Sequence, residues 1–152
     1  MKPYFKHIVA EEIPSDHPVS RFRLFWESKL VSGSLVNWSD FSPMGVAEVL
    51  PWVLMLEKQA DGRYYYKLSG SGCETLFGVK YEGKFLGDDL PPEATAQRVK
   101  EFSVVEEGNG PLFSMNTLPI ADKQFKEVYR GVFGFQDDAG SLNKIIVVIA
   151  PV

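Results

Sequence analysis

Apolar residues return along this chain with two different periods, and the switches between them mark out its elements. Val19, Phe22, Trp26 and Leu30 recur at helical spacing with Arg23, Glu27 and Lys29 between them. That pattern predicts a helix of about 15 residues, ended by Gly33. Phe25 and Leu24 widen its apolar side beyond one stripe. Asp40-Phe41-Ser42-Pro43 sets a polar cap before a first-turn proline and predicts a short helix through Ala47 and Leu50, stopped by Pro51. Trp52 to Glu57 reads as a strand, Asp61-Gly62 as a hairpin turn, and Arg63 to Ser69 as the returning strand. There Tyr64, Tyr66 and Leu68 alternate with Arg63, Tyr65 and Lys67, so one face is apolar.

Ser69-Gly70-Ser71-Gly72 opens a second short helix through Cys73, Leu76 and Phe77, closed by Gly78. A turn-rich stretch with Gly83, Gly87, Pro91 and Pro92 leads to a longer helix from about Glu93 to Glu106, with Ala96, Val99 and Phe102 facing inward. Three strands finish the chain, Leu112 to Leu118, Phe125 to Gln136 and Leu142 to Ala150. Residues 1–17, mixed and polar, read as a flexible arm before a single domain over residues 18–152.

This order predicts an α+β fold with a five-stranded antiparallel sheet and a helical crossover on one face. In the last strand Ile145, Val147 and Ile149 point one way and Ile146 and Val148 the other, so both sheet faces are apolar. The second face needs a cover, supplied by the N-terminal amphipathic helix or by a partner subunit. Val19, Phe22, Trp26 and Leu30 are therefore candidate dimer-interface residues, and a homodimer is the expected assembly.

Composition narrows the function classes. The 152 residues fit one domain, and 45% hydrophobic with 24% charged residues is a globular balance. A net charge of −4 without a basic patch argues against nucleic-acid binding. The single cysteine, Cys73, points to a reducing compartment; residues 1–7 lack the apolar core of a signal peptide, and the longest apolar run, Ile145 to Val152, is too short to span a membrane. A cytoplasmic protein is expected.

Several short motifs resemble the PAS domain family, in particular a bacterial group of small single-domain PAS proteins. They are Asp40-Phe41-Ser42-Pro43, Leu50-Pro51, the aromatic strand Tyr64-Tyr65-Tyr66 ending in Ser69-Gly70-Ser71, Phe77-Gly78 with Gly83, and Arg130 in the fourth strand. The resemblance spans about residues 22–150. It implies a cavity between the sheet's inner face and the helical middle, and a sensory or protein-interaction role that relays a signal to another protein. Tyr64, Tyr66, Cys73, Phe77, Phe102, Phe113, Met115 and Arg130 are the candidate ligand-binding residues.

Candidate chemistry is sparse. His7 and His17 fall in the expected arm, so no metal site is predicted; haem-binding PAS domains use a histidine in the helical middle, where this chain has none. Cys73 sits in Gly72-Cys73-Glu74 rather than the Asn-Cys-Arg-type motif of flavin-adduct PAS domains, and reads as a buried filler. No cofactor is predicted. Two readings stand for Arg130: a pocket arginine holding a carboxylate or phosphate, or an ion pair across strands or subunits. Gly131 beside it would admit a close approach by a backbone or ligand. No catalytic residue is predicted. The alternative is a small enzyme of cone-shaped α+β fold, isomerase- or thioesterase-like, acting on a hydrophobic substrate through Glu57, Arg130 and Cys73.

Overall fold

The computed structural model describes residues 3–123 and 125–152. Its strands are β1 (Phe5–Ile8), β2 (Val36–Asn37), β3 (Val53–Lys58), β4 (Tyr64–Ser69), β5 (Leu112–Thr117), β6 (Glu127–Gln136) and β7 (Leu142–Pro151). They lie in one sheet in the order β1-β5-β6-β7-β3-β4, antiparallel throughout, with β2 pairing parallel to the end of β6. The helices are α1 (Pro18–Lys29), α2 (Ser71–Phe77) and α3 (Pro92–Val104). The α2–α3 crossover links the β3–β4 hairpin to the β5–β7 meander and covers one face, while α1 covers the other. The fold is thus the α+β, PAS-like arrangement implied by the resemblance, with β1 added beside β5. Among the described residues no helix is long and apolar enough to cross a membrane.

β7 explains the two covered faces. Ile145, Val147 and Ile149 join Leu54, Leu56, Tyr66 and Phe102 in an inner cluster under the crossover. Ile146 and Val148 join Phe133, Phe135, Val19, Phe22 and Trp26 in an outer cluster under α1. Trp26 is 1% exposed, and its indole N–H donates to the Gly134 carbonyl at 3.2 Å.

Val19 and Phe22 have no exposed surface either, so the apolar stripe of α1 is spent inside its own protomer. The reading of Val19, Phe22, Trp26 and Leu30 as a dimer interface is corrected accordingly, with Leu30 also packed against the outer cluster. The physical reason for expecting a homodimer, an uncovered sheet face, goes with it.

Four local expectations change as well. The stretch taken as a flexible arm supplies β1, which pairs with β5 from Phe5↔Asn116 to Ile8↔Phe113. The helix expected after Asp40 is a chain of single 3-10 turns at Trp38–Asp40, Pro43–Val46 and Leu50–Trp52. Pro43, Gly45, the β-branched Val46 and Val49, and Pro51 leave no run of good helix formers there. In β4 the register passes from Leu56↔Tyr66 to Met55↔Leu68, so Lys67 is an inserted bulge residue. The bulge sends Tyr66 inward and Leu68 into the outer cluster, ending the simple alternation. Finally, a side-chain carbon at Gly131 would lie 2.8 Å from Val19 Cγ1, so the close approach made there is by α1 and not by a ligand.

Candidate functional site

The inward face of α3 runs through Ala94, Arg98, Phe102 and Val105, with Glu101 beside it, while Ala96 and Val99 are exposed. The expected inner face was therefore rotated, keeping only Phe102. The correct stripe has spacing i, i+4, i+8, i+11, a regular helical face that two charged residues disguised.

Those charges meet Arg130 of β6, whose neighbours on that face, Val128 and Val132, belong to the inner cluster. Arg98, Glu101 and Arg130 are 7%, 3% and 2% exposed. Nη1 of Arg130 lies 2.9 Å from Glu101 Oε1 and 3.0 Å from Oε2, and its hydrogen bond is directed at Oε2. Nη1 of Arg98 stands 3.7 Å from Oε1, an ion pair without a directed bond, so Oε1 accepts none from the described residues. Arg130 therefore makes an ion pair to a helix of its own chain, rather than across strands or subunits.

Two guanidiniums share one carboxylate, leaving one positive charge unbalanced in the interior. Burial, and next the nearby Arg130 guanidinium, press the pKa of Arg98 below the ordinary arginine value. Breaking such a buried pair by removing one partner costs about 3–5 kcal/mol, whereas well-packed apolar replacements are often as stable or more so.

A small, largely buried cavity of about 30 Å3 lies on one side of these charges, lined among others by Tyr66, Phe77, Tyr81, Arg98, Phe102 and Arg130. Tyr66 and Tyr81 stack with ring centroids 5.0 Å apart. Burial pushes the Tyr66 phenol up to about 12 and Tyr81 higher, so both stay protonated donors. The Tyr81 hydroxyl, buried on a residue 3% exposed, has no hydrogen-bond partner among the described residues.

On the other side an open groove of about 830 Å3 reaches Glu101 past Phe5, His7, Gln97 and Lys100. The Phe5 ring of β1 lies over the Arg98 guanidinium at 5.1 Å, within cation–π range. The ion cluster thus stands between a small inner cavity and a wide open groove, and β1 caps it.

Of the candidate binding residues, Tyr66, Phe77, Phe102 and Arg130 line the cavity. Tyr64 packs against Phe102 at 4.9 Å and stays within the inner cluster, outside the cavity wall. Cys73 is fully buried in the same inner cluster, also outside the cavity wall, its thiol pushed up to about 12 by burial, which removes nucleophilic character. Phe113 lies in the outer cluster, 5.7 Å from Phe133, and Met115, two residues on, shares its side of β5. Both belong to the face away from the cavity. The residues missed by sequence reasoning are Arg98, Glu101 and Tyr81.

His17 is not a solvated arm residue but the buried cap of α1. Among the described residues no three or more His, Cys, Asp or Glu side chains gather to hold a metal ion. Glu57 lies on the outer face, 3.3 Å from Lys144, whose ammonium also stands over the Trp38 ring.

No protein-family model matches the sequence, and no curated protein does. Among solved structures the chain is similar to a sensory box histidine kinase/response regulator from Burkholderia thailandensis E264. The identity is 10% over 73% of this chain and 85% of that one, with a TM-score of 0.46. It is also similar to the light-state structure of the blue-light photoreceptor Aureochrome1 LOV, at 15% identity over 71% and 86% of the two chains and a TM-score of 0.45.

Proposed function

We propose that this domain is a sensory or protein-interaction module of the PAS type, without catalysis of its own. It takes a small ligand at the inner-face site and relays the change through its N-terminal strand to a signalling partner in the cytoplasm. One observation carries this reading: an unbalanced ion cluster is wedged between the small inner cavity and the open groove, with Phe5 of β1 resting on Arg98. A ligand shifts a conformational equilibrium only through different affinities for its two states. A binder that draws charge away from Arg98 has such a difference, because the ring of Phe5 and the ligand attract the same guanidinium.

The isomerase- or thioesterase-like alternative needs Glu57, Cys73 and Arg130 around one substrate. Their positions on the outer face, in the packed core and at the cavity wall favour the sensor instead.

Hydrogen exchange on the Phe5→Ala variant tests the relay. Exchange is expected to quicken in β1 and also in α3 around Arg98 and Glu101, while the β3–β4 hairpin keeps its wild-type protection. Quickening confined to β1, with α3 unchanged, contradicts a relay through Phe5.

A further inference from the structure

Resting on that reading, we propose that the ligand is a small planar oxyanion, a carboxylate of formate or acetate size, bound in the cavity by the guanidiniums of Arg98 and Arg130 and by the hydroxyl of Tyr81.

Charge makes the first argument. Arg98 and Arg130 carry two positive charges against the single negative charge of Glu101, and all three are at least nine-tenths buried. A buried charge is strongly disfavoured unless paired and hydrogen-bonded. One added monoanion balances the site, whereas a dianion overshoots it and a neutral ligand leaves it charged.

Unused donors make the second argument. Arg130 directs one N–H at Glu101, and Arg98 makes one side-chain hydrogen bond, at 3.4 Å to Gln97 Oε1. A guanidinium offers five N–H donors in a flat fork that matches a carboxylate. The Tyr81 hydroxyl is a third donor at the same wall, buried and without a partner among the described residues. A polar group so placed is disfavoured relative to a paired one.

Size and wall chemistry make the third. The cavity's 30 Å3 accommodates about two or three water-sized positions. That suits three or four heavy atoms and excludes citrate-like molecules. Leu54, Leu56, Phe102, Val147 and Ile149 also line the wall and favour a ligand with little polar surface beyond its charged end. Glu101 already presents a carboxylate to both arginines from the groove side, so it shows which chemistry the fork accepts.

Titration calorimetry and thermal melting of the full chain test this, with formate, acetate, nitrate and citrate, against chloride at equal ionic strength. Saturable binding and a rise in Tm with formate or acetate, absent with chloride and citrate, are expected. Nitrate, planar and singly charged, separates recognition of charge and shape from recognition of a carboxylate carbon. Weaker binding than acetate supports the carboxylate, and equal or tighter binding overturns it in favour of a general oxyanion site. Arg98→Met should keep the fold, because Glu101 and Arg130 still pair, and should weaken acetate by at least about tenfold. Tyr81→Phe should weaken acetate with Tm in its absence unchanged or higher. No saturable binding of any of these anions, or full acetate affinity in Arg98→Met, overturns the proposal. Should they fail while Phe5→Ala still loosens α3, the sensor reading stands and only the ligand class falls.

Discussion

At His17 one imidazole serves two backbone groups at opposite ends of the chain. Its Nδ1 accepts the Val19 N–H at 3.1 Å, capping α1, and its Nε2–H donates to the Pro151 carbonyl at 3.0 Å. That division of roles needs the neutral ring, since protonation turns the accepting nitrogen into a donor. Burial, the largest influence, lowers the His17 pKa below 6.5, against the opposing pull of the Pro151 carbonyl. Near the ordinary histidine value the unfolded chain binds a proton that the native one does not, so stability rises with pH there. The contribution is complete above that value and is lost as pH falls toward the lower native one. Urea midpoints between about pH 8 and pH 5 should drop on the acid side, and His17→Asn, which retains a capping oxygen, should flatten that drop. An equal acid slope in the variant contradicts this role. The signal was legible: His17-Pro18 places a capping side chain before a first-turn proline. It was overlooked because residues 1–17 lack the apolar period that marks an element.

Among the elements, those with clean periodicity were readable and those interrupted by a charge or a bulge were not. The α1 stripe and the two-faced β7 follow directly from apolar spacing, and their packing on one another is the consequence. In α3 the inner face carries Arg98 and Glu101, so an apolar count selects the wrong side. In β4 the inserted Lys67 reverses every side chain after it, and nothing in local composition announces a bulge.

The Ser69-Gly70-Ser71-Gly72 stretch shows a different constraint. Gly70 has φ −65°, which any residue can adopt, yet a side-chain carbon there would sit 2.3 Å from the Leu50 carbonyl oxygen and 2.4 Å from that of Pro51. The glycine is needed for room, because α2 begins hard against the 3-10 turn at Leu50–Trp52. Gly70→Ala should therefore cost about 1–3 kcal/mol in denaturant unfolding, since backbone atoms have to move. A loss of less than about 0.5 kcal/mol, the usual range for a neutral surface change, contradicts that packing.

The whole molecule is a sheet between two unlike covers, a tightly apolar one under α1 and a charged one under α3. The first was foreseen because apolar residues declare their own burial. The second was not, because Arg98 and Glu101 lie about thirty positions before Arg130 in the sequence, and each alone reads as solvated surface. Only the sheet brings them together. A chain selected for stability alone gains nothing from two buried guanidiniums and one carboxylate, and well-packed apolar groups are often as good or better. Functional sites are where proteins retain such a disadvantage.

The account therefore stands on Arg98 being a charge kept for binding at the expense of stability. Denaturant unfolding of wild type and Arg98→Met in carboxylate-free buffer measures this directly. The account predicts that Arg98→Met, which keeps the apolar bulk and leaves the Glu101–Arg130 pair intact, is more stable than wild type by about 1 kcal/mol. A variant less stable than wild type would show that the second guanidinium holds the fold together, and would contradict it.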